Sequence, residues 1–132
     1  MSQQLEHYIS DLRNLPKFDG DYAERFEQVL EKIDSLDNPK SIISLSQFFD
    51  DEAEYDELMF SLIHSIEKFD DATYINALFE ALPNLSRKAP NWCSVLLKRV
   101  NNNPESKGVL ATTLESSNGY IRQLVDSFLT KD

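Results

Sequence analysis

Residues 58–82 read LMFSLIHSIEKFDDATYINALFEAL, and this stretch carries the clearest structural signal in the chain. Its apolar residues recur every three or four positions in two successive blocks, a spacing typical of amphipathic α-helices. Asp70 and Asp71 lie between the blocks, where a carboxylate caps the N-terminus of a helix. Because a residue before proline disfavours helical geometry, Leu82-Pro83 is expected to end the second helix.

The same periodicity extends upstream. Leu15-Pro16 is expected to stop a first helix. Residues 22–36 then carry an apolar stripe behind a capping box at Asp21–Glu24, in which the Asp21 carboxylate accepts from the first helical turn. Asn38-Pro39 is expected to open a third helix, with Asn as its cap and Pro at its first position.

Downstream, Ala89-Pro90 is expected to begin a helix that contains Trp92. The run Asn101–Pro104 is interpreted as a connector, and Ser117–Gly119 as a break before the last helix. Segments with the alternating polarity of strands are absent, and glycine is scarce, with 3 in 132 residues. The sequence therefore predicts a single all-α domain over residues 1–132, with about eight helices of roughly 10 to 15 residues.

Short connections favour antiparallel helical hairpins. Four hairpins of roughly 30–35 residues predict a compact right-handed stack in the style of α-solenoid, HEAT-like repeat proteins. Because no consensus recurs at a fixed spacing, an irregular helical bundle is the alternative.

The chain is strongly acidic, with a net charge of −10. Residues 1–80 hold 19 Asp and Glu against 6 Lys and Arg, whereas residues 81–132 hold 4 against 7. Such a field repels nucleic acid and anionic membranes and attracts basic partners. The alternative is that the charge serves solubility alone.

The acidity peaks at residues 50–57, where six of eight residues are Asp or Glu. Capping and solvation of a helix explain part of this run, with Glu54 and Glu57 as neighbours on that helix. Tyr55 either anchors a partner or packs inward at the spacing of Met59. The predicted partner-binding residues are Asp50, Asp51, Glu52, Glu54, Tyr55, Asp56, Glu57, Asp70 and Asp71.

Residues typical of catalysis or metal binding are few. His64 lies among apolar residues and is interpreted as a partly buried packing residue, and Cys93 as a small core residue. An EF-hand loop counted from Asp50 fails at its sixth and twelfth positions, which hold Tyr55 and Ser61. We therefore predict a protein that is not an enzyme, with no cofactor, no metal and no catalytic residues.

Cysteine usage and the N-terminus bear on the compartment. One cysteine permits no internal disulfide, which fits a reducing compartment. Residues 1–12 lack the basic stretch and apolar run of a signal peptide. A cytoplasmic protein is expected.

Residues 81–106 contain ALPNLSRKAPNWC (81–93), LLKRVNN (96–102) and PES (104–106). In this stretch the chain resembles small helical immunity proteins of bacterial polymorphic-toxin and contact-dependent growth-inhibition systems. The resemblance implies a cytosolic antidote that binds a cognate secreted toxin domain, often a nuclease, and neutralises it in a 1:1 complex. It supplies no toxin-contacting residues, so the acidic candidates rest on charge alone. The alternative function is a helical-repeat adaptor that binds another protein or a peptide.

Overall fold

The computed structural model describes residues 2–130, which form eight α-helices and contain no strand. The predicted all-α class is therefore confirmed. The helices are α1 (Ser2–Arg13), α2 (Tyr22–Leu36), α3 (Ser41–Ser46), α4 (Asp56–Glu67), α5 (Asp71–Lys88), α6 (Pro90–Asn102), α7 (Pro104–Glu115) and α8 (Gly119–Leu129).

The helices pack as a bundle in which α5 is central and touches α3, α4, α6, α7 and α8. Most of the other strong contacts join helices that are adjacent or next but one along the chain, such as α2 with α4 and α6 with α8. The buried apolar side chains form one continuous cluster. Burial of these stripes is the main favourable term for short helices, which are marginal alone.

Several helices begin as local capping logic predicts. Asp70 caps α5 by accepting from the Thr73 N–H at 3.1 Å. The predicted capping box at Asp21 is wrong, because the Asp21 carboxylate makes no cap hydrogen bond and instead pairs with Arg25 at 2.8 Å. The expected start of α3 at Pro39 is also wrong. Asn38 accepts from the Lys40 N–H at 3.0 Å within a turn, and the helix begins at Ser41.

Helix α5 continues through Pro83 to Lys88, so the predicted end at Leu82-Pro83 is wrong. Proline removes one backbone donor from the helix. Leu82 and Leu85, on either side of it, are 0% and 2% exposed. Burial of this apolar stripe outweighs the local preference of proline.

The Asn-rich connector is shorter than predicted. Helix α6 includes Asn101 and Asn102, and α7 begins at Pro104. Only Asn103 lies between them, and its side chain caps α7 by accepting from the Glu105 and Ser106 N–H groups at 3.0 and 3.2 Å.

The expectation that His64 on α4 is partly buried is wrong, because its side chain is exposed. Leu62, Ile63 and Ile66 point into the core, and at about 100° per residue His64 falls on the opposite face, which it shares with Phe60. Cys93 is fully buried, as predicted.

Candidate partner-binding surface

The acidic segment, residues 50–57, connects α3 to α4. Only Asp56 and Glu57 are helical, and they occupy the first turn of α4. Tyr55 is the residue that precedes the helix, in an extended conformation. The expectation that Glu54 and Glu57 neighbour each other on one helix is therefore wrong, because Glu54 lies before the helix begins.

Asp51 performs a structural task at a distant helix. Its carboxylate accepts from the backbone N–H groups of Asn91 at 2.9 Å and Trp92 at 3.2 Å, at the start of α6. Ala89, the residue before that helix, has no side chain that accepts a hydrogen bond. Asp51 thus supplies, from 40 residues upstream, the acceptor that a local cap would provide.

Asp50 also faces the protein. Its side chain accepts from the Glu52 N–H at 2.9 Å, and its carbonyl accepts from Trp92 Nε1 at 3.1 Å. Burial, and secondly the nearby Asp50 carboxylate, raise the pKa of Tyr22 above its ordinary value. The first two acids of the segment are therefore half-buried and hold its backbone against α6.

The other four acids of the segment, Glu52, Glu54, Asp56 and Glu57, are exposed. Within residues 2–130, none of the six acids lies within ion-pairing distance of a Lys or Arg. Acids elsewhere do have such partners, as Glu67 does with Arg99 at 2.8 Å. The negative charge of the segment is thus left uncompensated inside the described part of the chain.

An apolar groove of about 500 Å³ runs beside the acidic segment. Its floor includes the buried side chains of Phe26, Leu58 and Met59. Tyr55 lines the groove with 37% of its surface exposed, and Phe18, on the α1–α2 loop, stands fully exposed at the rim. Tyr55 therefore lines the same groove as Met59 and is also accessible from outside. Its role as an anchor for a partner stays a prediction.

The structure separates Asp70 and Asp71 from this groove, which neither of them lines. Asp70 caps α5, and the Thr73 hydroxyl, followed by the Thr73 N–H, lowers the pKa of its carboxyl. Asp71 accepts from the Ser106 hydroxyl at 2.9 Å and so joins α5 to α7. Both acids have structural partners that account for their positions.

Sequence reasoning missed two exposed aromatic residues near the acidic segment. Phe18 lies between Lys17 and Asp19, in a loop too short and polar to bury it. An aromatic residue flanked by charged residues in such a loop was the signal in the sequence that could have identified it. Phe60 is 43% exposed and packs edge-on against Trp92, with ring centroids 5.4 Å apart. Its signal was that it interrupts the apolar spacing of α4.

The described residues show little that is typical of a reactive centre. In residues 2–130, no three His, Cys, Asp or Glu side chains converge in a way that would hold a metal ion. Burial, and secondly the Asp51 carboxylate, raise the pKa of Cys93 to about 12, which keeps the thiol protonated and unreactive at neutral pH. None of the helices in this range is long and apolar enough to cross a membrane.

Within residues 2–130, the all-helical fold thus displays uncompensated acids beside an apolar groove. The family model described as Immunity protein 30 (Imm30) matches residues 11–110, from the end of α1 into α7, and this span includes the acidic segment. The chain belongs to the Immunity protein 30 family, so its resemblance to bacterial immunity proteins is confirmed. Membership implies neutralisation of a toxin, in a family that is typically non-catalytic. No curated protein and no solved structure matches the chain.

Proposed function

We propose that this immunity protein acts in the cytoplasm against the toxin domain of a contact-dependent growth-inhibition or related polymorphic-toxin system. Its partner is a basic nuclease domain, bound in a 1:1 complex, and the acidic segment forms the centre of the contact. The acidic charge makes a direct role on nucleic acid or on an anionic membrane unfavourable.

The observation that carries this proposal is the set of unpaired acids. Mutual repulsion opposes the crowding of six carboxylates within eight residues, and no internal cation offsets it in residues 2–130. A nuclease binds a polyanion and therefore presents Lys and Arg around its substrate surface. An acidic antidote complements that surface, and close charge pairs at such interfaces have coupling energies of about 1.5–7 kcal/mol.

The internal contacts divide the acids into two groups. Asp51 caps α6 and Asp50 orders the segment, and Asp56 and Glu57 stabilise the first turn of α4 through its dipole. Glu52 and Glu54 are exposed, lie outside any helix and accept no side-chain hydrogen bond within residues 2–130. Because no contact within residues 2–130 gives these two acids a role in the fold, they are the acids that most directly support a role in binding.

The test is charge reversal at Glu52, Glu54 and Glu57, each replaced by Lys. Asp51 is left unchanged, because Lys at position 51 would also remove the cap of α6. The gene immediately upstream is taken as the source of the cognate toxin domain. That domain is co-expressed with each variant, and co-purification, affinity by calorimetry and growth rescue are measured. We expect binding to weaken by well over about tenfold, and the association rate of the wild type to fall as salt rises.

The matched control is Glu80→Lys, Glu115→Lys and Asp126→Lys, which makes the same change in net charge at exposed positions outside the acidic segment. Far-UV circular dichroism checks that both variants stay helical. An equal loss of affinity in the two variants would show that net charge, and no particular surface, governs the interaction. Unchanged affinity in both would place the contact on the basic C-terminal half, around Arg87, Lys88, Lys98 and Arg99.

A further inference from the structure

The apolar groove has the layout of a receptor for a side chain rather than of a flat contact. Its floor is made by Phe26, Leu58 and Met59, and all three are at most 5% exposed. Phe48 and Tyr22 line it as half-buried rings. A concave apolar site of about 500 Å³ has room for one or two large side chains of a partner.

Charged side chains of both signs line the groove. The acids are Asp50, Glu52 and Glu54, and the cations are Arg13, Lys17 and Lys88. Two of those cations have internal contacts, because the Arg13 guanidinium lies 6.0 Å from the centroid of the Phe48 ring and Lys88 donates to the Gln47 carbonyl. Within residues 2–130, Glu52 and Glu54 form no ion pair with a Lys or Arg.

These unpaired acids select the occupant. A Lys or Arg on an incoming segment is attracted to Glu52 and Glu54. An apolar residue next to that cation then reaches the floor.

Phe18 gives the groove a second anchor. Its side chain is fully exposed, although it stands at the rim of an apolar site. Turns at Pro16–Asp19 and Asp19–Tyr22 hold the backbone of its loop, with N–H to carbonyl distances of 3.3 and 3.1 Å. Because the backbone of the loop is fixed by these turns, the aromatic ring becomes buried only when a partner covers it.

We propose that the apolar groove binds a segment of the toxin domain that carries a large apolar side chain next to a Lys or Arg. The apolar side chain packs on the floor, the cation faces Glu52 and Glu54, and Phe18 covers the segment from the rim. This inference rests on the proposed function, because it specifies the part of the toxin that the acidic surface receives.

The test combines two variants that leave every charge unchanged. Phe18→Ala removes the rim anchor, and full exposure of Phe18 means that folding does not depend on it. Ala53→Trp fills the groove that Ala53 lines. Their matched controls are Tyr120→Ala, at a second exposed aromatic, and Ala111→Trp, at an exposed alanine of α7, neither of which lines the groove. Circular dichroism and thermal melting check the fold of each.

Affinity is measured by calorimetry against the purified toxin domain encoded immediately upstream. We expect Phe18→Ala and Ala53→Trp each to lose at least about tenfold in affinity, and the controls to stay within about twofold of wild type. A photo-crosslinking amino acid at position 18 should attach to a toxin segment with an aromatic or aliphatic residue beside Lys or Arg. The same group at position 120 should attach to none.

A folded Phe18→Ala variant that loses less than about fivefold, or a crosslink to a segment without that pairing, overturns the groove proposal. If charge reversal at Glu52, Glu54 and Glu57 still weakens binding, the proposed function stands without it. If the wild-type chain neither binds the toxin domain nor rescues growth, the proposed function itself fails, and the groove proposal fails with it.

Discussion

Removal of the Asp51 carboxylate should destabilise the protein more than removal of any other acid in its segment. Asp51→Ala leaves the N–H groups of Asn91 and Trp92 without their ionised acceptor at the start of α6. Loss of a cap residue costs about 0.5–2 kcal/mol, and hydrogen bonds to a charged group contribute about 1.5–3 kcal/mol. Because Asn91 is exposed, water replaces one of the two bonds. We therefore expect a loss of about 1.5–2 kcal/mol in the free energy of unfolding.

Urea denaturation followed by far-UV circular dichroism measures this loss, and for a chain of this size the melting temperature should fall by about 5–7 °C. Glu52→Ala is the matched control, since it removes the same charge from the next residue, which is exposed and caps no helix. Asp51→Asn keeps an acceptor without the charge and should fall between wild type and Asp51→Ala. If Asp51→Ala were as stable as Glu52→Ala, the assignment of Asp51 as the cap of α6 would be refuted.

Two further predictions concern ionisable groups. Hydrogen bonds from Thr73 hold the pKa of Asp70 below its ordinary value of 3.8. A depressed folded pKa stabilises the fold above the unfolded pKa, and this contribution disappears as the pH falls through the folded value. The difference in stability between wild type and Asp70→Ala, measured by urea denaturation, should therefore be constant near neutral pH and shrink below pH 3.8. Cys93, with its pKa raised to about 12, should not react with a maleimide at neutral pH until denaturant is added. Cys93→Ala should rescue growth as wild type does, and a folded variant that fails to protect would point to thiol chemistry.

The helices were predictable from the sequence because each needs an apolar stripe, and the spacing of that stripe is a local property. The cap made by Asp70 was predictable for the same reason, whereas the caps predicted at Asp21 and Asn38 were wrong. Pro83 shows the limit of local rules. The preference of proline against a helix interior is local, whereas the burial of Leu82 and Leu85 that outweighs it depends on the rest of the bundle.

The candidate surface was predictable in its charge and unpredictable in its shape. Composition alone located the acidic segment. The role of Asp51 was not predictable, because its carboxylate caps α6, a helix that begins about 40 residues further along the chain. Capping requires proximity in space and does not depend on separation in sequence. The groove likewise joins residues from the α1–α2 loop, α2 and the acidic segment. No short stretch of the sequence contains all of these residues.

The cap made by Asp51 also bears on how binding should be measured. Hydrogen bonds from the Glu52 and Ala53 N–H groups to Asp50, together with the contact of Asp51 with α6, hold the acidic segment before any partner arrives. Ordering one residue of backbone costs about 1–2 kcal/mol. Because the segment is already ordered in the folded protein, this cost does not reduce the affinity for the partner. Asp51→Ala should therefore weaken toxin binding even though its carboxylate is engaged internally. In an alanine scan, Asp51→Ala would weaken binding as Glu52→Ala and Glu54→Ala do, but through loss of order in the segment and not through loss of a direct contact. Double-mutant cycles with basic residues of the toxin distinguish these two effects. Coupling should appear for Glu52 and Glu54 and be absent for Asp51.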